Sequence, residues 1–68
     1  MATEPNIGEN IKKHRSKTGL SQEDFAQKSG VKYTTLTKIE SGVIKTPSVL
    51  MVEKIAKALD VSIEELLK

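Results

Sequence analysis

The chain contains no cysteine and no tryptophan, and its only aromatic residues are one tyrosine and one phenylalanine. Without cysteine there is no disulfide, no thiolate nucleophile and no cysteine-based zinc site. A chain of 68 residues is near the lower limit for folding alone without such cross-links, so we expect a single domain over residues 1–68. No apolar run approaches the length of a membrane span.

The first residues, MATEPN, carry an acid and a proline and no apolar run. A signal peptide needs an apolar core and a transit peptide avoids acidic residues, so this segment is typical of neither. We expect residues 1–5 to be flexible and the protein to be cytoplasmic.

Charge is nearly balanced but unevenly distributed. Eleven basic residues against nine acidic ones give a net charge of +2 and a pI near 9.0, an excess too small to identify a partner. The early and central segments carry Lys12, Lys13, Arg15, Lys17, Lys32, Lys38 and Lys45. The C-terminal pair Glu64 and Glu65 is acidic, so positive charge is concentrated in roughly the first two-thirds of the chain.

Helix start and stop signals recur along the chain. Asn6 precedes Glu9 by three residues, the spacing of a capping box. Further start signals are Ser21-Gln22-Glu23-Asp24, Thr46-Pro47-Ser48 and Ser62-Ile63-Glu64-Glu65, and Gly19, Gly30 and Gly42 are suited to ending helices. Because no useful length alternates with a period of two, the pattern predicts an all-α fold, a compact five-helix bundle.

Apolar spacing predicts which side of each helix is buried. We expect Leu36 and Ile39 to dock the third helix, about residues 32–41, on helices one and four. The other inward residues expected are Phe25 and Ala26 in helix two; Val49, Val52, Ile55, Ala56 and Leu59 in helix four; and Ile63, Leu66 and Leu67 in helix five.

Helices two and three are joined by little more than Gly30-Val31. Such a tight connection requires a residue that tolerates positive φ, which glycine does. Two short helices across a turn of this kind form a helix-turn-helix arrangement, which we place at residues 21–41.

The other side of the third helix is unusual for a solvent-exposed face. It carries Thr34, Thr37, Lys38 and Ser41, and it contains no carboxylate. Lys32 occupies the cap position, where a Ser or Asp would add about 1 kcal/mol and a cation opposes the helix dipole. One explanation covers both features: this face and this end bind a polyanion. The alternative is a threonine-rich face that only meets solvent.

The single histidine, His14, has no cysteine or catalytic partners beside it, so we interpret it as a plain surface residue. The sequence therefore predicts no metal site, no cofactor and no enzymatic site.

The segments LSQEDFAQKSGVKYTTLTKIESG and TPSVLMVEKIAKALDVSIEELL resemble the Cro/repressor-type (xenobiotic-response-element) helix-turn-helix family. The resemblance covers almost everything from Ile7 to Lys68. It implies a lambda-repressor-like DNA-binding domain that binds palindromic operators in double-stranded DNA as a homodimer.

The resemblance also implies roles for individual residues. Base reading falls to Tyr33, Thr34, Thr37 and Lys38, and phosphate contacts to Gln22, Thr35, Ser41 and Lys45. Arg15 and Glu40 match an ion pair that can leave the arginine near a phosphate. Lys32 instead departs from the family, which usually has a small cap residue there, and we add it to the phosphate contacts because it places a cation at the helix start. The base-reading set departs from many relatives because it lacks Gln, Asn and Arg. We therefore expect thymine-methyl contacts and DNA shape to carry much of the specificity.

Two features have competing interpretations. The apolar surface of the C-terminal helices exceeds what one inner stripe needs, which predicts either a core covered on two sides or a dimer interface. The residues of that interface would be Leu50, Met51, Ala58, Ile63, Leu66 and Leu67.

Glu23 is either a first-turn acid favoured by the helix dipole or a contact for RNA polymerase.

The leading functional hypothesis is a transcriptional regulator of the repressor or restriction–modification controller type. The alternative is an antitoxin-like protein-interaction module built on the same bundle. In that second case we expect an exposed apolar groove or a disordered toxin-binding tail, and the sequence ending at Lys68 offers no such tail.

Overall fold

The computed structural model describes residues 6–68, and within that range it contains five α-helices and no β-strand. The helices are α1 Ile7–Thr18, α2 Gln22–Ser29, α3 Tyr33–Ser41, α4 Val49–Leu59 and α5 Ile63–Leu67. The all-α, five-helix prediction is confirmed. The expectation of flexibility for residues 1–5 falls outside the described residues.

Side-chain caps fix the start of every helix but one. Asn6, Ser21, Ser48 and Ser62 each accept a hydrogen bond from the backbone N–H three residues later. The exception is α3, where Lys32 stands at the cap position and makes no side-chain cap hydrogen bond. The helix that begins with the weakest local chemistry is therefore the one whose exposed face also lacks carboxylates.

The core lies where the five helices meet. Its fully buried large side chains are Ile11, Phe25, Leu36, Ile39, Ile55 and Leu66. Helix α3 packs against α1 and α2, whereas α4 packs against α1, α2 and α5. The expected docking of α3 on helices one and four is thus half correct: α2, not α4, supplies its second contact surface.

Two apolar residues expected in the core lie largely outside it. Val49 is 76% exposed because it is the first residue of α4, and no neighbouring helix in the described range covers that position. Leu67 is 42% exposed because α5 has only five residues, and Leu66 takes its inward position. The other residues predicted to face inward are buried or pack against the core.

Gly8 sets the approach of α1 to α3. A Cβ atom at this buried glycine would overlap the carbonyl oxygen of Ile39. A glycine inside a helix costs about 1 kcal/mol relative to alanine, so its presence here reflects packing. The missing side chain brings the backbone of α3 directly against α1.

Among the described helices, none combines the length and the apolarity that crossing a membrane requires.

Candidate nucleic-acid interface

The turn between α2 and α3 has the geometry that the sequence predicts. Gly30 has φ of 78°, and its N–H donates to the carbonyl oxygen of Ala26 at 3.0 Å. Val31 is buried, and α3 begins two residues later at Tyr33. Buried contacts on both sides of this short turn hold α3 at a fixed angle to α2.

The outward side of α3 presents Tyr33, Thr34, Thr37, Lys38 and Ser41, which are exposed except for the half-buried Thr37. At 100° per residue these five positions fall within a single arc of the helix. The structure therefore brings together all four predicted base-reading residues.

Two of the hydroxyl groups on this face donate to their own helix. Thr37 Oγ1 lies 2.8 Å from the carbonyl oxygen of Thr34, and Ser41 Oγ lies 3.2 Å from that of Lys38. Each hydroxyl keeps lone pairs that can accept a hydrogen bond. The methyl group of Thr37 is of the kind that contacts a thymine methyl.

Glu40 is the only carboxylate in α3, and it does not face solvent. Its side chain is 2% exposed and lies against Arg15, which is 13% exposed. Arg15 Nε donates to Glu40 Oε2 at 2.8 Å, and Arg15 Nη2 donates to Oε1 at 3.1 Å. The ion pair implied by the resemblance is thus present as a two-point contact between α1 and α3. Because the carboxylate is buried and paired, the outward face of α3 carries no free negative charge.

Gln22 joins this pair, which the sequence did not indicate. Its Nε2 donates to Glu40 Oε1 at 3.0 Å, so one buried carboxylate connects α1, α2 and α3. Arg15 also donates through Nη1 to the carbonyl oxygen of Leu20 at 2.8 Å. Nothing in the spacing of these residues reveals the contact with Gln22, because it depends on the crossing of three helices.

The remaining predicted phosphate contacts lie around α3. Lys32 is exposed at its start, and Thr35 is half-buried on its flank. Lys45 is exposed in the loop that follows, where the backbone N–H of Ile44 donates to the carbonyl oxygen of Lys38 at 3.0 Å. That bond holds the start of the loop close to α3.

The predicted dimer residues fall into three groups. Leu50 and Leu67 are exposed, while Met51, Ala58 and Ile63 are half-buried and pack against the core. Leu66 is fully buried inside the domain, so its assignment to an interface was wrong: it is the core anchor of α5.

Other singled-out residues carry little chemistry. His14 is half-buried and Glu23 is exposed. Across residues 6–68, no group of three or more His, Cys, Asp or Glu side chains is placed to hold a metal ion.

Comparison with known proteins identifies the architecture. The model of the helix-turn-helix family matches residues 11–66. The chain belongs to the helix-turn-helix family. This confirms the resemblance to Cro/repressor-type proteins.

The helix-turn-helix chain is similar to a known transcriptional regulator. It is 39% identical over 61 residues to the HTH-type transcriptional regulator SinR of Bacillus subtilis (strain 168), an alignment covering 90% of this chain and 55% of SinR. The chain thus spans about half the length of this relative. The crystal structure of SinR in complex with DNA superimposes with a TM-score of 0.88 at 39% identity, covering 91% of this chain and 98% of that one.

A second solved structure, the restriction–modification controller protein C.AhdI from Aeromonas hydrophila, superimposes with a TM-score of 0.85 at 32% identity. It covers 93% of this chain and 94% of that one. Both solved relatives therefore match over nearly the whole helix-turn-helix domain.

Proposed function

We propose that this helix-turn-helix domain is a sequence-specific, DNA-binding regulator of transcription that inserts α3 into the major groove. The observation that carries the proposal is the outward face of α3. That face offers hydroxyls, one aromatic ring and one lysine, while the single carboxylate of the helix is buried against Arg15. SinR, which shares this fold, has been crystallised with DNA, and that supports the same partner here.

The resemblance to Cro/repressor-type proteins supports the assignment of residues to bases and to phosphates. Base edges meet Tyr33, Thr34, Thr37 and Lys38, of which lysine can donate to guanine O6 and N7. The phosphate contacts are assigned to Gln22, Lys32, Thr35, Ser41, Lys45 and Arg15. Since this base-reading set contains no Gln, Asn or Arg, thymine methyls and DNA shape supply much of the discrimination.

The proposal extends to a homodimer on a palindromic operator, with the two α3 helices in successive major grooves about 34 Å apart. Its interface would use the exposed Leu50 and Leu67, with Met51, Ala58 and Ile63 at the edge. A contact of Glu23 with RNA polymerase and a cytoplasmic location belong to the same proposal.

Selection of bound duplexes from a random library, followed by a footprint, tests this function. We expect a palindromic sequence to be enriched, with protection centred on two half-sites one helical turn apart. Failure to retain any duplex at low ionic strength would contradict the proposal. Light scattering tests the dimer separately. A monomer at high micromolar concentration, both with and without operator, would contradict the proposed homodimer.

A further inference from the structure

Glu40 lies at the junction of three helices, and its carboxylate accepts three hydrogen bonds. Two come from Arg15 in α1 and one comes from Gln22 in α2. With 2% exposure, the carboxylate itself cannot contact a ligand. It can only act through the two side chains that it holds.

The carboxylate fixes the orientation of the Gln22 amide. An ionised carboxylate is only an acceptor, so Gln22 must turn its nitrogen, not its oxygen, toward Glu40. Nε2 carries two hydrogens and uses one in the 3.0 Å bond to Glu40 Oε1, which leaves the second for another acceptor. In the opposite orientation the Gln22 amide oxygen would face Glu40 Oε1, and two acceptors cannot form a hydrogen bond with each other.

Arg15 keeps donors of its own beside this amide. Its guanidinium has five N–H groups, and three are used on Glu40 and on the carbonyl oxygen of Leu20. Arg15 Nη2 and Gln22 Nε2 are neighbours, because both lie within 3.1 Å of the same oxygen, Glu40 Oε1. Gln22 is also the first residue of α2, where the helix dipole favours an anion.

We infer that Glu40 is a positioning residue for DNA binding: it holds the Gln22 amide and the Arg15 guanidinium so that their remaining N–H groups bind one backbone phosphate together. This inference rests on the proposed function. The direction in which DNA affinity changes when the charge of Glu40 is removed distinguishes a positioning role from simple charge repulsion. A carboxylate near DNA repels phosphate, so removing its charge should tighten binding if charge alone mattered, whereas removing a positioning residue should weaken it.

A double-mutant cycle tests the inference with Glu40→Met and Gln22→Ala, alone and combined. The readout is the dissociation constant for a short duplex of arbitrary sequence at low ionic strength, measured by fluorescence anisotropy. We expect Glu40→Met to weaken binding about three- to tenfold, and Gln22→Ala about threefold. In the Glu40→Met background, Gln22→Ala should cost less than about twofold, because the amide is no longer held.

Glu23→Met is the matched control. Glu23 follows Gln22 in α2 and is exposed, so this variant removes one negative charge near the same helix end without touching the network. We expect its binding to be unchanged or tighter. Circular dichroism establishes that each variant is folded at the temperature of measurement. If Glu40→Met does not fold, Glu40→Gln replaces it. A glutamine amide has only one acceptor oxygen, whereas the two carboxylate oxygens of Glu40 accept three hydrogen bonds in the native protein.

Tighter binding by the Glu40 variant, or an equal cost of Gln22→Ala in both backgrounds, would overturn the inference while leaving the proposed function intact. A wild-type protein that binds no duplex would instead contradict the proposed function itself.

Discussion

Replacing Arg15 by alanine is the sharpest test of how the helix junction is stabilised. The substitution would remove two of the three donors to Glu40 and leave a carboxylate that is 2% exposed with Gln22 alone. Breaking a buried ion pair from one side costs about 3–5 kcal/mol. The lower end applies here, because Arg15 is 13% exposed and solvent can reach part of the site.

A loss of about 3 kcal/mol is a large share of the stability of so small a domain, for which about 3–10 kcal/mol is typical. We therefore expect the melting temperature to fall by at least about 10 °C. Urea denaturation followed by circular dichroism measures the free energy directly. Duplex affinity should also fall, since the variant loses the Arg15 N–H groups proposed to bind phosphate and leaves the charge of Glu40 without a cation beside it.

Lys13→Ala is the control for Arg15→Ala. Lys13 is exposed on the same helix and pairs with Glu9 at 3.9 Å, so its removal should cost no more than about 0.5 kcal/mol. If the free energy of unfolding of Arg15→Ala lies within about 1 kcal/mol of the wild-type value, the buried pair does not stabilise the junction. That result would contradict the prediction.

Four further substitutions have distinct expected outcomes. Gly8→Ala should destabilise the domain by about 2 kcal/mol or more in urea titrations, although alanine favours helices, because its Cβ meets the carbonyl oxygen of Ile39; an unchanged midpoint would contradict this. Lys32→Ser should stabilise α3 by about 0.5–1 kcal/mol yet weaken duplex binding, and gains in both would argue against a phosphate contact there. Lys38→Ala should lose about 1–3 kcal/mol of discrimination at one base position. Lys45→Ala should weaken binding to all sequences and flatten its salt dependence, as competition titrations would show; the reverse pattern would exchange their roles.

Local chemistry was enough to predict the helices. Each Ser or Asn cap identified from the sequence caps a helix in the structure, because a cap bond spans only three residues. The face of α3 was equally predictable, since helical periodicity fixes which residues share a side.

Features that depend on neighbouring helices could not be predicted in this way. Val49 has the right angular position for the core, but burial also requires another helix to reach it. The contact of Gln22 with Glu40 requires three helix axes to cross at defined angles. Gly8 gave the one available signal of close packing, a glycine inside a helical pattern.

Thr34→Glu tests most directly whether the outward face of α3 binds DNA. Thr34 is exposed in the first turn of α3. A carboxylate there interacts favourably with the helix dipole, by about 0.3–1 kcal/mol, so the free energy of unfolding should stay the same or rise. We predict that duplex affinity at low ionic strength falls at least about tenfold, while the neutral control Thr34→Gln loses much less. A Thr34→Glu variant that binds DNA as tightly as the wild type would contradict it.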